Sequence, residues 1–124
     1  YYAMEGLSVI TDLIGKLRDN GGNPNLRLEG VLMTMFDSRT RLAADVVAEV
    51  RKYFGAQVYE TTIPRSVRVS EAPSFGKPVV FYDPGNRGSI AYRQFAAEFA
   101  DRLENGLAAS ETGATEMHIP IMAR

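Results

Sequence analysis

The sequence predicts an α/β fold: a parallel βαβ unit with flanking helices and an incomplete sheet. Three observations predict it. Residues 28–35 (LEGVLMTM) form a short, nearly continuous apolar run, the pattern of a strand buried on both faces. Residues 41–54 follow with apolar side chains at helical spacing, and residues 57–63 (QVYETTI) are β-branched and aromatic. A strand, a helix and a strand on short links must pair in parallel, with a right-handed crossover.

The elements follow in order. From residue 3 to 20, Leu7, Ile10, Leu13, Ile14 and Leu17 recur every three or four positions and mark one helical face. Lys16 and Arg18 suit the negative end of the helix dipole, and Gly21-Gly22-Asn23-Pro24 stops it. After the first strand, Asp37-Ser38-Arg39-Thr40 is rich in capping side chains. The second helix points Leu42, Val46, Val47, Val50 and Phe54 inward and ends at Gly55; Pro64 closes the second strand. Residues 66–87 read as a long loop punctuated by Pro73, Gly76, Pro78, Pro84 and Gly85, in which 79–82 is a short strand or a packed extended stretch. Loops of that length in compact domains are usually functional. A third helix over 89–104 carries Ile90, Tyr92, Phe95, Phe99 and Leu103, with Asn105-Gly106 as its cap. The domain spans 1–107, and 108–124 loses all periodicity and reads as a mobile tail in which His118 is solvated. Two strands leave an uncovered sheet edge, so the core needs more chain or a second copy.

Composition narrows the function. A length of 124 residues suits one small domain. The net charge of −1 excludes a basic nucleic-acid binder overall, so any such role needs a local patch. The absence of cysteine removes disulfides, thiolate zinc sites and thiol nucleophiles, and a single histidine removes a His-rich metal site. No apolar run approaches the roughly 20 residues of a membrane span. No signal-peptide pattern opens the chain, and a reducing cytoplasm fits these features. Tyr1-Tyr2-Ala3 precedes any methionine while a helical pattern is already under way, which reads as a piece joined part-way through a longer protein.

Ligands on parallel sheets sit beyond the carboxyl ends of the strands. Here those ends are Met35-Phe36-Asp37-Ser38 and Ile63-Pro64-Arg65. A phosphate loop is not present: Gly76-Lys77 is followed by Pro78 where Ser or Thr is required, and Glu71 stands where the first glycine belongs. Carboxylates on the helix faces read as solvated. Between Arg65 and Arg93 there are five cations (Arg65, Arg68, Lys77, Arg87, Arg93) against Glu71 and Asp83, a local excess of three positive charges. Arginines on Gly-rich connections match phosphate oxygens, and they serve equally as structural ion pairs. Phosphate contacts would be blind to base sequence and weakened by salt.

Five blocks, in order and spacing, resemble one family: Tyr1-Tyr2-Ala3-Met4-Glu5-Gly6-Leu7, Glu29 to Thr40 (EGVLMTMFDSRT), Ile63 to Pro78 (IPRSVRVSEAPSFGKP), Tyr82-Asp83-Pro84 and Arg87-Gly88. Together they are similar to the carboxy-terminal half of the ParA/Soj chromosome-partitioning ATPases. The resemblance implies a partial P-loop NTPase-like sandwich around a mostly parallel sheet. It implies ATP and Mg in the intact protein, with neither bound tightly by this piece, because the Walker A lysines and catalytic aspartate belong to the other half. It implies a nucleotide-driven homodimer that coats DNA non-specifically and a ParB/Spo0J-type centromere-binding partner, in chromosome or plasmid segregation on the nucleoid. On this sequence the adenine side of the pocket falls on Met35, Asp37, Pro64 and Arg65. DNA contact falls on Arg68, Lys77 and Arg87, with Arg93 secondary, and Arg65 faces both readings. Glu5 becomes a dimer-interface candidate. Gly85 stands where relatives often carry a basic residue, which weakens the DNA patch. Two other readings stay open: a stand-alone interaction or oligomerisation module without nucleotide, and a paralogous ATPase that positions another cargo.

Overall fold

The computed structural model describes residues 2–109 and 117–123. The chain runs α1 (Tyr2–Asp19), β1 (Leu26–Phe36), α2 (Arg41–Phe54), β2 (Val58–Pro64), α3 (Val67–Glu71), α4 (Val79–Tyr82), α5 (Arg87–Ala109) and β3 (Met117–Ala123), with 3-10 turns at Gly55–Gln57 and Ala72–Phe75. The sheet has three parallel strands in the order β2-β1-β3.

β1 is central and buried on both faces, as its apolar run requires. Val31 and Met33 join Leu7 of α1 and Val50 of α2 on one face, while Leu32 joins Tyr59, Ile63 and Ala91 on the other. Alternation along one strand thus divides the core into two layers. α2 begins where the capping signal lies: the Thr40 Oγ1 accepts from Ala43 N at 3.3 Å. It ends at Gly55, whose φ of 59° favours glycine.

α5 covers β2 and Tyr59. The ring packs edge-on to Phe95 with centroids 4.9 Å apart, and the Arg102 guanidinium lies 4.2 Å above it. Gly30 of β1 makes room for that ring, since a Cβ there would stand 2.5 Å from it. β1 and β2 are out of step beside it: Val31 pairs with Val58 but Met33 with Thr62, so β2 bulges. The Glu98 carboxylate of α5 fills the bulge, accepting from Glu60 N at 2.8 Å, Thr61 N at 3.0 Å and Thr61 Oγ1 at 2.8 Å. Burial works against the charged carboxyl. The Thr61 and Glu60 N–H groups, the Thr61 hydroxyl and Arg102 outweigh it and hold Glu98 below the usual carboxylate range.

Four expectations are corrected. Residues 66–87 are not an open loop but a string of short helical turns. Within it, 79–82 is α4 rather than a strand: Phe81 N and Tyr82 N both donate to Pro78 O, and the buried Ser89 hydroxyl ties Val79 O and Asp83 O from below. Asn105-Gly106 does not cap the last helix. Gly106 is not among the positive-φ glycines, and α5 continues to Ala109. Finally, 117–123 carries a strand where a tail without elements was expected. Pro120 sits opposite Gly30 on this outer strand, the position a sheet tolerates for proline. The rest of that tail lies outside the described residues.

Candidate functional site

The carboxyl ends of β1 and β2 form one cleft. β1 is bent there by a second irregularity: Met33 pairs with Thr62 and Phe36 with Pro64, leaving an extra residue in β1. Within it Met35 adopts φ 55°, the single positive φ outside glycine among the described residues. Such a conformation costs roughly 1–3 kcal/mol and clusters at functional sites. It turns Met35 out of the sheet, half-exposed, at the mouth of the cleft.

Beyond the bend, Asp37 organises the turn into α2. Its carbonyl accepts from Thr40 N at 3.1 Å and from the Thr40 hydroxyl at 3.0 Å. Its carboxylate is held by Arg39, with Nε to Oδ1 at 3.0 Å, Nη2 to Oδ2 at 3.1 Å and the backbone N to Oδ1 at 3.1 Å. The Arg39 side-chain hydrogen bonds, then its backbone N–H, keep the Asp37 carboxyl below its usual range, and the Arg65 charge acts in the same direction. On the other strand, Arg65 N donates to Phe36 O at 3.0 Å, fastening the two strand ends together.

A cavity of about 990 Å³ opens above this junction, and Met35, Asp37, Pro64 and Arg65 all line it. The four residues proposed from sequence are therefore brought together. Arg87, expected on the basic surface, lines the same cavity, as do Ser66 and Ser70. Its position follows from the start of α5: the Asn86 Oδ1 accepts from Gly88 N at 2.9 Å and from the Ser66 hydroxyl at 2.8 Å. Gly88 lets α3 close on that turn, because a Cβ would stand 2.4 Å from the Val69 Cγ2.

The other cations divide into bound and unbound. Arg68 meets Glu71 at 3.2 Å and Asp83 at 3.4 Å. Tyr82 donates to the same Glu71 carboxylate at 3.0 Å while its ring stacks on Phe75 with centroids 4.9 Å apart. Arg93 donates to Pro84 O at 2.7 Å. Arg65, Lys77 and Arg87 have no ion pair among the described residues. Glu5 is exposed in the first turn of α1.

Sequence reasoning missed Arg39 and Tyr92 as lining residues. The Asp-x-Arg spacing in a capping turn was the signal for the first. Among the described residues no cluster of His, Asp or Glu has the size to hold a metal ion, and no helix is long and apolar enough to cross a membrane.

Residues 3–79 match the CobQ/CobB/MinD/ParA nucleotide binding domain. The chain is 50% identical over 102 residues to the chromosome partitioning protein ParA of Myxococcus xanthus, covering 82% of this chain and 36% of that protein. It is 51% identical over 100 residues to the sporulation initiation inhibitor protein Soj of Bacillus subtilis, covering 81% and 39%. It is 46% identical over 104 residues to the chromosome-partitioning ATPase Soj of Thermus thermophilus, covering 84% and 41%. The chain thus spans about two fifths of the length of the curated relatives it matches.

Proposed function

The chain belongs to the CobQ/CobB/MinD/ParA nucleotide-binding family, and from that premise we propose that it supplies the base side of an ATP pocket and part of a DNA-facing surface in a ParA/Soj-type partition ATPase. The observation that carries the reading is the cleft at the tips of β1 and β2, with Met35 held in a strained conformation at its mouth. A purine needs an apolar slot and a few fixed polar atoms. Met35 and Pro64 offer the slot; backbone groups at 36 and 65 and the Asp37 turn offer the polar rim. These residues fit a base. They do not include a donor set for Mg, so no chemical step is assigned to a metal here. Phosphate chemistry in the intact protein rests on the part of the domain that this chain does not span.

The cations carry the second half of the proposal. Lys77 and Arg87 are the stronger DNA contacts, because no carboxylate among the described residues pairs with them; Arg68 contributes through what Glu71 and Asp83 leave free. Dimerisation would double the arginines facing one duplex and steepen the dependence on salt. A ParB-type partner and a role in segregation follow from the same reading.

One titration tests the base site. Adenosine added to the chain should shift the amide resonances of residues 35–38, 63, 65 and 66, and Met35→Asp should abolish the shifts. Shifts spread evenly over the surface, or none at the cleft, would overturn the reading.

A further inference from the structure

Arg39 stands on the rim of the cleft with its side chain 87% exposed, yet it closes the hydrogen-bonding edge of Asp37, whose side chain is 23% exposed. Both carboxylate oxygens accept from the guanidinium fork, and Oδ1 also accepts from the Arg39 N–H. Such bidentate pairing is directional as well as attractive. The spacing of two residues inside a capping turn makes it local, so it does not depend on distant packing.

The two purines differ in what they ask of this rim. Guanine presents N1–H and N2–H₂ side by side, two donors spaced for one carboxylate. Adenine presents an acceptor at N1 beside a donor at N6. A free carboxylate has only acceptors, so it would seize guanine and face adenine N1 lone pair to lone pair.

We infer that Arg39 is a positioning residue for base selection: by occupying Asp37 it denies guanine its two-point partner and leaves the cleft biased toward adenine. The inference rests on the reading of the cleft as a base pocket. Arg39 touches no base itself; it acts through Asp37. With Arg39 removed, the Arg65 charge still favours the ionised carboxylate, so the acceptor edge is released rather than protonated.

The test compares adenosine and guanosine binding to the whole chain by amide chemical shifts. The unaltered chain should prefer adenosine. In Arg39→Ala the preference should move toward guanosine by about fivefold, the most that displacing so exposed an ion pair costs. In Arg39→Ala with Asp37→Asn the gain should vanish, because an amide cannot present two acceptors. The guanosine gain in Arg39→Ala should also fade as acid protonates Asp37, which a merely structural role for Arg39 would not produce. Arg39→Gln, which keeps most of the stem, serves where the alanine variant does not fold. An unchanged preference in the folded variant would overturn the inference and leave the base pocket standing, as would an unaltered chain that already prefers guanosine. Binding of neither nucleoside at the cleft, in any variant, would overturn both.

Discussion

Two arginine–carboxylate pairs flank the same sheet. Glu98 and Arg102 lie against the first half of β2, 3.1 Å apart; Asp37 and Arg39 lie past the carboxyl end of β1, 3.0 Å apart. Their contact distances are nearly equal and their settings are not. Glu98 also satisfies two backbone N–H groups and a hydroxyl in a strand bulge, and Arg102 also reaches Val58 O at 3.1 Å and the face of Tyr59. Among the described residues the second pair bonds to nothing beyond its own turn. A salt bridge in itself says little about stability; what matters is what else each partner satisfies. The first pair fastens the fold; the second holds its own turn on the wall of the cleft.

The sharpest way to break this contrast is Glu98→Ala. It removes the partner of the Glu60 and Thr61 N–H groups and of the Thr61 hydroxyl at a half-buried edge, and the chain should lose about 2 kcal/mol in urea unfolding. Acid should do the same by degrees. The folded pKa of Glu98 lies below its unfolded value, so its contribution is complete above the ordinary carboxylate range and is lost as the pH falls through the depressed value. Glu98→Gln should flatten that part of the acid limb. A smaller effect comes from Tyr59, whose hydroxyl is buried without a partner among the described residues. Burial, helped by the Glu29 carboxylate, pushes its pKa up to about 12. Stability should therefore decline from its ordinary value near 10 toward about 12 as the phenol is forced to ionise. Tyr59→Phe should remove that decline and stabilise the chain by about 1 kcal/mol, read from the same unfolding curves. The smallest effect belongs to the cleft pair. Asp37→Asn should leave the unfolding midpoint where it stands; a large drop would show that both pairs are structural and erase the distinction.

Local chemistry was enough to read β1, α2 and β2, except that Leu42, expected inward, is 67% exposed at the first turn of α2. Thr40, Gly55 and Pro64 punctuate them, and each apolar pattern has one matching period. The grouping of Met35, Asp37, Pro64 and Arg65 followed from topology, because parallel strands deliver their tips to one side. What depended on partners was not legible. The helical turn at Val79–Tyr82 rests on Ser89, ten positions away in sequence. The bulge in β2 exists because Glu98 fills it, and in sequence Glu98 looks like any solvated acid on a helix. Arg68 and Arg87 look alike as loop cations; the carboxylates of Glu71 and Asp83 separate them only in three dimensions. The left-handed backbone at Met35 has no sequence signature, since methionine does not favour it.

The Asn86 side chain holds the tip of one element to the root of another, since Ser66 and Gly88 both donate to its one oxygen. Mechanically it is a rivet. The wall beside Pro64 and the first turn of α5, on which Arg87 rides, are thus tied through one side chain, and Asn86→Ala would cut both ties at once.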